Sequence, residues 1–258
     1  MGVAAIRKEE DSRLADALVR EDQLPASIQM NKCLAYPECM TNPWSELRSE
    51  PPYVLEMDAR EIRDYDSRQK NNAKLALDSV PEPFIGNPET ATVVLLLLNP
   101  GHSPRDTEAH SDAPFKEALF RNLRGESQHY PFYPLNPAFA STPSAKWWIP
   151  RLRELKQEAG LTDAALSNKL LAIEWFPYHS RISGLPTKRV CESQDYTFRL
   201  AKKMFADRLV LRMRSVNHWS AVDSRFHDIP ALKNPRCGHI SRRNTQASLF
   251  DEIMKALI

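Results

Sequence analysis

The sequence predicts an α/β fold: three layers, α/β/α, around a central four-stranded parallel sheet, with an irregular, mostly helical N-terminal extension. Three observations lead there. Residues 93–98 are six consecutive apolar residues closed by Asn99-Pro100-Gly101, as expected of a strand buried on both faces. Two further apolar runs, Lys169–Trp175 and Arg208–Arg214, have strand length. Stretches with helical spacing separate these runs, and strands alternating with helices build parallel sheets.

The elements follow in order. Residues 1–22 carry Ile6, Leu14, Leu18 and Val19 among charges, the spacing of a helix. Residues 23–56 hold Pro25, Pro37, Pro43, Pro51 and Pro52 and are expected to wrap the core irregularly. Asp58 is placed as the N-cap of a helix reaching about Leu77. Pro81, Pro83 and Pro88 end that region. The first strand is Thr92–Leu98, followed by a helix over Pro114–Arg124 and a Pro- and aromatic-rich loop over Tyr130–Pro143. A helix over Ser144–Gly160 leads to the second strand, Lys169–Trp175. A helix over Glu192–Ala206 precedes the third strand, Arg208–Arg214, and a fourth short strand is expected near Ile229–Pro235. Thr245–Ile258 closes the chain as an amphipathic helix. The division expected is an extension, 1–91, packed on a domain, 92–258.

Composition narrows the function. The 258 residues are 42% hydrophobic and 26% charged, ordinary for a globular protein with one substantial core. No apolar stretch is long enough to span a bilayer, and the first residues have no signal-peptide pattern, so a cytoplasmic protein without membrane partners, expected as a monomer, is inferred. The four cysteines, Cys33, Cys39, Cys191 and Cys237, are too scattered for a disulfide framework. They form no Cys-x-x-Cys pair, so reduced thiols are expected and neither a metal nor another cofactor is assigned. With 7 glycines the chain carries no dinucleotide fingerprint or phosphate loop, and it lacks the hydrolase and zinc-protease motifs. The net charge of +2 hides an asymmetry: residues 181–243 hold 14 Lys and Arg against 5 Asp and Glu. That excess suggests a surface facing a polyanion.

Ligands of parallel sheets bind outside the carboxyl ends of the strands. Asn99 therefore stands where chemistry is done, and Gly101 lets a ligand approach the backbone. Three strand ends together resemble a known family. Leu97-Leu98-Asn99-Pro100-Gly101 resembles motif 1 of the uracil-DNA glycosylase superfamily, in the Asn-Pro-Gly version of its single-strand-selective monofunctional and mismatch-specific members. His239-Ile240-Ser241-Arg242-Arg243-Asn244 resembles the second motif, His-Pro-Ser-Pro-Arg-Asn, and Glu174-Trp175-Phe176-Pro177 resembles the Asn-Tyr-Cys-Pro that ends the second core strand. The resemblance covers residues 92–258 and leaves 1–91 unmatched.

What the resemblance implies is a monofunctional DNA glycosylase that flips a base from DNA and hydrolyses its glycosidic bond. Asn99 then positions a water at the anomeric carbon, and His239 donates to the departing base. Phe115 stacks on the extruded base, while Gly101 and His102 line its pocket. His102 is open to two roles, a second acid or a base reader. Ser241, Arg242, Arg243 and Asn244 meet the DNA, with the arginines as wedge or phosphate clamp.

Departures from the family pattern matter as much. Glu174 stands where the family commonly has Asn. An ionised Glu only accepts, which suits the exocyclic amine of cytosine and not O4 of uracil, and a protonated Glu can also donate to cytosine N3. A modified cytosine, as in foreign DNA, is therefore expected beside uracil-type bases, with repair and defence both open. Alternatively Glu174 pairs with a nearby arginine. Leu97 replaces a Gly of motif 1, and Ile240 and Arg242 replace both prolines of motif 2. Two other functions compete: a non-catalytic nucleic-acid-binding module on the same fold, and a nucleoside N-glycosidase.

Overall fold

The computed structural model describes residues 41–258, and Asn42–Ile258 forms one compact unit. The helix expected within 1–22, Pro25, Pro37, Cys33 and Cys39 lie outside the described residues. The fold is α/β, with a single four-stranded sheet. Its strands are β1 (Phe84–Gly86), β2 (Val93–Leu96), β3 (Leu170–Ile173) and β4 (Leu209–Arg212), in the order β1-β3-β2-β4. Strand β2 pairs in parallel with β3 on one side and β4 on the other, Leu96 standing level with Ile173 and Arg212. All residues of β2 and β3 are buried, so both faces of the sheet are covered.

The helices are α1 (Ala59–Ser67), α2 (Pro104–Ser111), α3 (Ala113–Leu123), α4 (Pro143–Ala159), α5 (Asp163–Lys169), α6 (Gln194–Asp207), α7 (Val216–Val222) and α8 (Ala247–Leu257). Helix α8 lies against β2 and β4, α6 against β4, and α3 against β1. Among the described residues no helix is long and apolar enough to cross a membrane.

The wholly parallel sheet requires correction. Strand β1 runs antiparallel to β3, with Phe84 opposite Ile173. Glycine makes this edge possible: Gly86 has φ 115°, and a Cβ there would collide with the Leu170 carbonyl. The parallel strand expected near Ile229–Pro235 shrinks to one bridge between Arg212 and Ala231. Pro230 has no N–H to extend the ladder, and the Lys233 N–H is taken by the Asn244 carbonyl at 2.8 Å.

The boundary at 91/92 does not divide the fold either. Residues 84–86 belong to the sheet, and Trp44 is fully buried. Asp58 does not cap a long helix. Its carboxylate is buried and accepts from the Tyr178 hydroxyl at 2.6 Å and the Ser193 N–H at 2.8 Å, while α1 stops at Ser67. Leu75 then bridges to Ser180, which ties the segment to the loop after β3.

Candidate active site

Parallel register brings the carboxyl ends of β2, β3 and β4 to one edge of the sheet. Antiparallel β1 starts at that edge, so the residue pair before it, Glu82-Pro83, arrives there too. The chain leaves β2 through Asn99, β3 through Glu174 and β4 through Arg214. These three residues, with Glu82, His102 and Trp147, line one cavity of about 390 Å³. That volume lies within the range of ligand sites, roughly 300–1,000 Å³.

Asn99 is half-buried and held firmly. Its Nδ2 donates to the Pro100 carbonyl at 3.0 Å and meets Ser180 Oγ at 3.0 Å. Because a carbonyl only accepts, Nδ2 and not Oδ1 must face Pro100. Among the described residues no donor takes Oδ1. The loop itself is anchored: Ser180 N–H donates to the Pro100 carbonyl at 3.3 Å, and His179 Nδ1 lies 2.8 Å from the Gly101 carbonyl.

Glu174 is buried, and its Oε2 has no hydrogen-bond partner among the described residues. Burial pushes its carboxyl well above the ordinary range, and the nearby Glu82 adds to this. The cationic Arg214 opposes it without forming an ion pair. A carboxyl kept neutral presents one donor and one acceptor. It can pair with N3 and N4–H of cytosine, and equally with N3–H and O4 of uracil. The strict bias toward cytosine belongs to the ionised form alone.

Beneath the Asn99 loop lies a buried polar network that the sequence did not disclose. Tyr133 OH donates to Glu82 Oε1, and Glu82 Oε2 lies 3.6 Å from His179 Nε2. His179 Nε2 is also 3.0 Å from the Val80 carbonyl. Both ring nitrogens thus face carbonyl oxygens, and both bonds form at once only when the ring carries two N–H groups. His110 accepts the Val80 N–H at Nδ1, 2.9 Å, and burial drives its pKa well below the usual value. Burial also raises Glu82. Glu82, His110 and His179 each bring a possible ligand atom to within 4.8 Å of one another. Their bonds to Tyr133, Val80 and Gly101 already occupy most of the positions a metal would use. The cluster fits a hydrogen-bonded support for the loop better than a metal centre.

His102 lines the cavity with one ring nitrogen engaged. Its Nε2 lies 3.0 Å from Thr107 Oγ1, whose hydroxyl donates to Asp78 Oδ2 at 3.3 Å. With that proton committed, Thr107 accepts from Nε2–H, which leaves Nδ1 of a neutral ring bare. Burial, aided by the charge of His179, lowers the His102 pKa and favours the neutral ring.

Cations frame the mouth. The Arg151 guanidinium stacks 4.1 Å from the Trp147 ring centroid, and that of Arg214 stands 5.8 Å from the same ring. Arg181 joins the lining and reaches an adjoining hollow of about 650 Å³. Ser215, next to Arg214, has φ 65°, the single positive φ outside glycine among the described residues.

Other expected site residues lie elsewhere. Phe115 is 1% exposed and packs edge-on against His110, Tyr133 and Phe139, so it belongs to the core and not to the cavity wall. Gly101 and His102 do line the cavity. His239 is exposed and does not, although its neighbours touch the cavity's wall. Gly238 abuts Arg151 and Trp147, and Ile240 N–H donates to the Arg151 carbonyl at 3.0 Å. Arg242 is bound to Glu158 at 2.7 Å and Asp251 at 2.9 Å and lies over Phe250, which ties it to α4 and α8. Ser241 Oγ accepts the Asn244 N–H, while Arg243 is exposed. Asn244 is buried and donates to the His239 carbonyl at 2.7 Å, an internal fastener of this loop.

Compared with protein-family models, curated proteins and solved structures, the chain matches none. Sequence reasoning passed over Glu82, His179, Arg151, Arg214 and Trp147. Only Arg214, at the end of an expected strand, carried a positional signal.

Proposed function

We propose that the protein is a monofunctional DNA glycosylase acting on a pyrimidine, either uracil-type or a modified cytosine. The observation that carries this reading is the meeting, in one cavity, of Asn99 and Glu174, whose Oδ1 and buried Oε2 have no hydrogen-bond partner among the described residues. The resemblance of the strand-end motifs to uracil-DNA glycosylases points the same way. Glu174 pairs with the base edge. Asn99 Oδ1 accepts a hydrogen from a water, and Nδ1 of His102 takes that water's other proton as its oxygen bonds to the anomeric carbon. The C1′–N bond breaks, the base leaves with the bonding electron pair and is protonated from solvent, and an abasic site remains. His239, outside the cavity, has no step in this scheme.

An excision assay tests it. Oligonucleotides carrying uracil, 5-hydroxymethylcytosine or glucosylated cytosine are incubated with enzyme and then treated with alkali. Wild type should cleave at least one of them. Asn99→Ala and His102→Asn should each be slower by about 100-fold or more. If wild type leaves all three intact yet binds DNA, the non-catalytic binding module replaces this reading.

A further inference from the structure

The mouth of the cavity carries a feature that the proposed reaction does not use. Trp147 projects from α4 with two guanidinium groups against it, Arg151 from the same helix and Arg214 from the end of β4. Two like charges on one ring repel each other. Burial, and then the charge of Arg214, push the Arg151 pKa down. Among the described residues neither guanidinium forms an ion pair with a carboxylate. Arg151 spends NH1 on the Trp147 carbonyl at 2.6 Å, and its Nε is buried without a partner. Folding has therefore gathered uncompensated positive charge on an aromatic platform, which an anion would relieve.

The chain also makes room for it. Gly238 has φ 66°, a left-handed conformation that favours glycine, and a Cβ there would lie 3.0 Å from Arg151 Nε, so a side chain at this position would be strained and would crowd the arginine. On another part of the lining, Arg181 stands between the cavity and the adjoining hollow. Meanwhile Arg242, one of the two arginines expected as wedge or phosphate clamp, is spent on Glu158 and Asp251, while Arg243 stays exposed.

We infer that Arg151, Arg214 and Trp147 form a clamp for single-stranded DNA, the guanidiniums taking backbone phosphate and the indole stacking a base beside the one that enters the cavity. This deepens the proposed function by naming the strand that the site receives. Stacking on an aromatic face needs an unpaired base, and groove charge with aromatic platforms is the physics of single-strand binding. An arginine locked in two ion pairs is not available to prise a duplex open.

Binding is measured by fluorescence anisotropy with the full chain carrying Asn99→Ala, so that turnover does not enter. The probes are a labelled single strand, the same sequence as duplex, and heparin as competitor. Single strand should bind more tightly than duplex. Arg151→Gln/Arg214→Gln together should weaken it by about tenfold or more, and should reduce the slope of log affinity against log salt by about 1.4, two phosphates' worth. Trp147→Ala should weaken binding by a similar factor while leaving the salt slope unchanged. Lys188→Gln/Arg189→Gln, away from the cavity, is the control and should change little. Each variant's melting temperature is compared with wild type, and if Trp147→Ala does not fold, Trp147→Leu replaces it.

The clamp is overturned if the two arginine substitutions leave affinity and slope unchanged, if duplex binds more tightly, or if heparin alone binds and the single strand does not. A clamp that binds strand in a protein without excision activity would retire the glycosylase reading and keep this one. Excision without dependence on these residues would do the reverse.

Discussion

With Oε2 shut away from solvent and Glu82 nearby, the carboxyl of Glu174 keeps its proton to a higher pH than an exposed glutamate. At low pH the group is neutral in folded and unfolded chains alike, and it makes no difference to stability. As pH rises past the ordinary glutamate value, the unfolded chain releases this proton first, and the fold loses stability until the folded pKa has been passed. Glu174→Gln removes that loss. Melting curves across a pH series should therefore show wild type falling progressively below the variant as pH rises, with the two converging in acid. Parallel curves would mean an ordinary carboxyl. On the proposed function, excision of uracil should fail in wild type on the alkaline side, because a carboxylate cannot donate to O4, and should persist in the variant. Asn99 and Glu174 were legible in the sequence because each ends a buried apolar run. Glu82 and His179 were not, since they come from segments with no motif and meet only through the antiparallel edge strand and the loop after β3. Phe115 was misplaced because helical spacing does not distinguish a pocket wall from a core face.

Among the elements, β1 is the one that the sequence hid. Three residues, Phe84–Gly86, are too few to show a period, and the prolines on either side read only as the end of the preceding region. The longer buried strands and the helices α3, α4, α6 and α8 were legible to within a few residues. The short helices α2, α5 and α7 were not, because seven or eight residues barely complete two turns. Strand β1 matters to the site, since it delivers Glu82 beside His179. Its attachment depends on Gly86, where φ is 115° and any Cβ would strike the Leu170 carbonyl. Gly86→Ala should then lower stability by about 2–4 kcal/mol, from left-handed strain together with overpacking. Urea denaturation checks it, and a loss below about 1 kcal/mol would mean that β1 shifts freely on its neighbour. Gly125→Ala is the comparison. It also has positive φ, but its Cβ would meet nothing within 4 Å, so strain alone remains and the loss should be smaller.

Across the whole molecule, charge and chain continuity settle what counts as the domain. The surplus of positive charge in residues 181–243 is partly consumed internally: Arg189 pairs with Asp195, Arg225 with Asp223, and Arg242 with Glu158 and Asp251. Arg212 is buried and donates to the Phe226 and His227 carbonyls. What lines the cavity from this stretch is Arg181 and Arg214, while Arg151, from outside it, stacks on the lining residue Trp147. A count along the sequence indicated a polyanion but not the residues that would hold it. The resemblance to a family began at residue 92, which invited a boundary that the packing does not respect. Trp44 packs edge-on against Tyr178, Asp58 accepts from Tyr178 and Ser193, and β1 covers one edge of β3. A truncation starting at residue 92 would strip β3 of its antiparallel partner and leave the Tyr178 hydroxyl buried without its acceptor. It would also expose apolar surface now covered by Trp44, Tyr53, Leu55 and Ile62, at about 25 cal/mol per Å². Such a chain should lack a cooperative thermal transition and bind a hydrophobic dye, whereas one starting at Asn42 should melt cooperatively. Cooperative melting of the 92–258 chain would show instead that residues 42–91 are a covering and not part of the core.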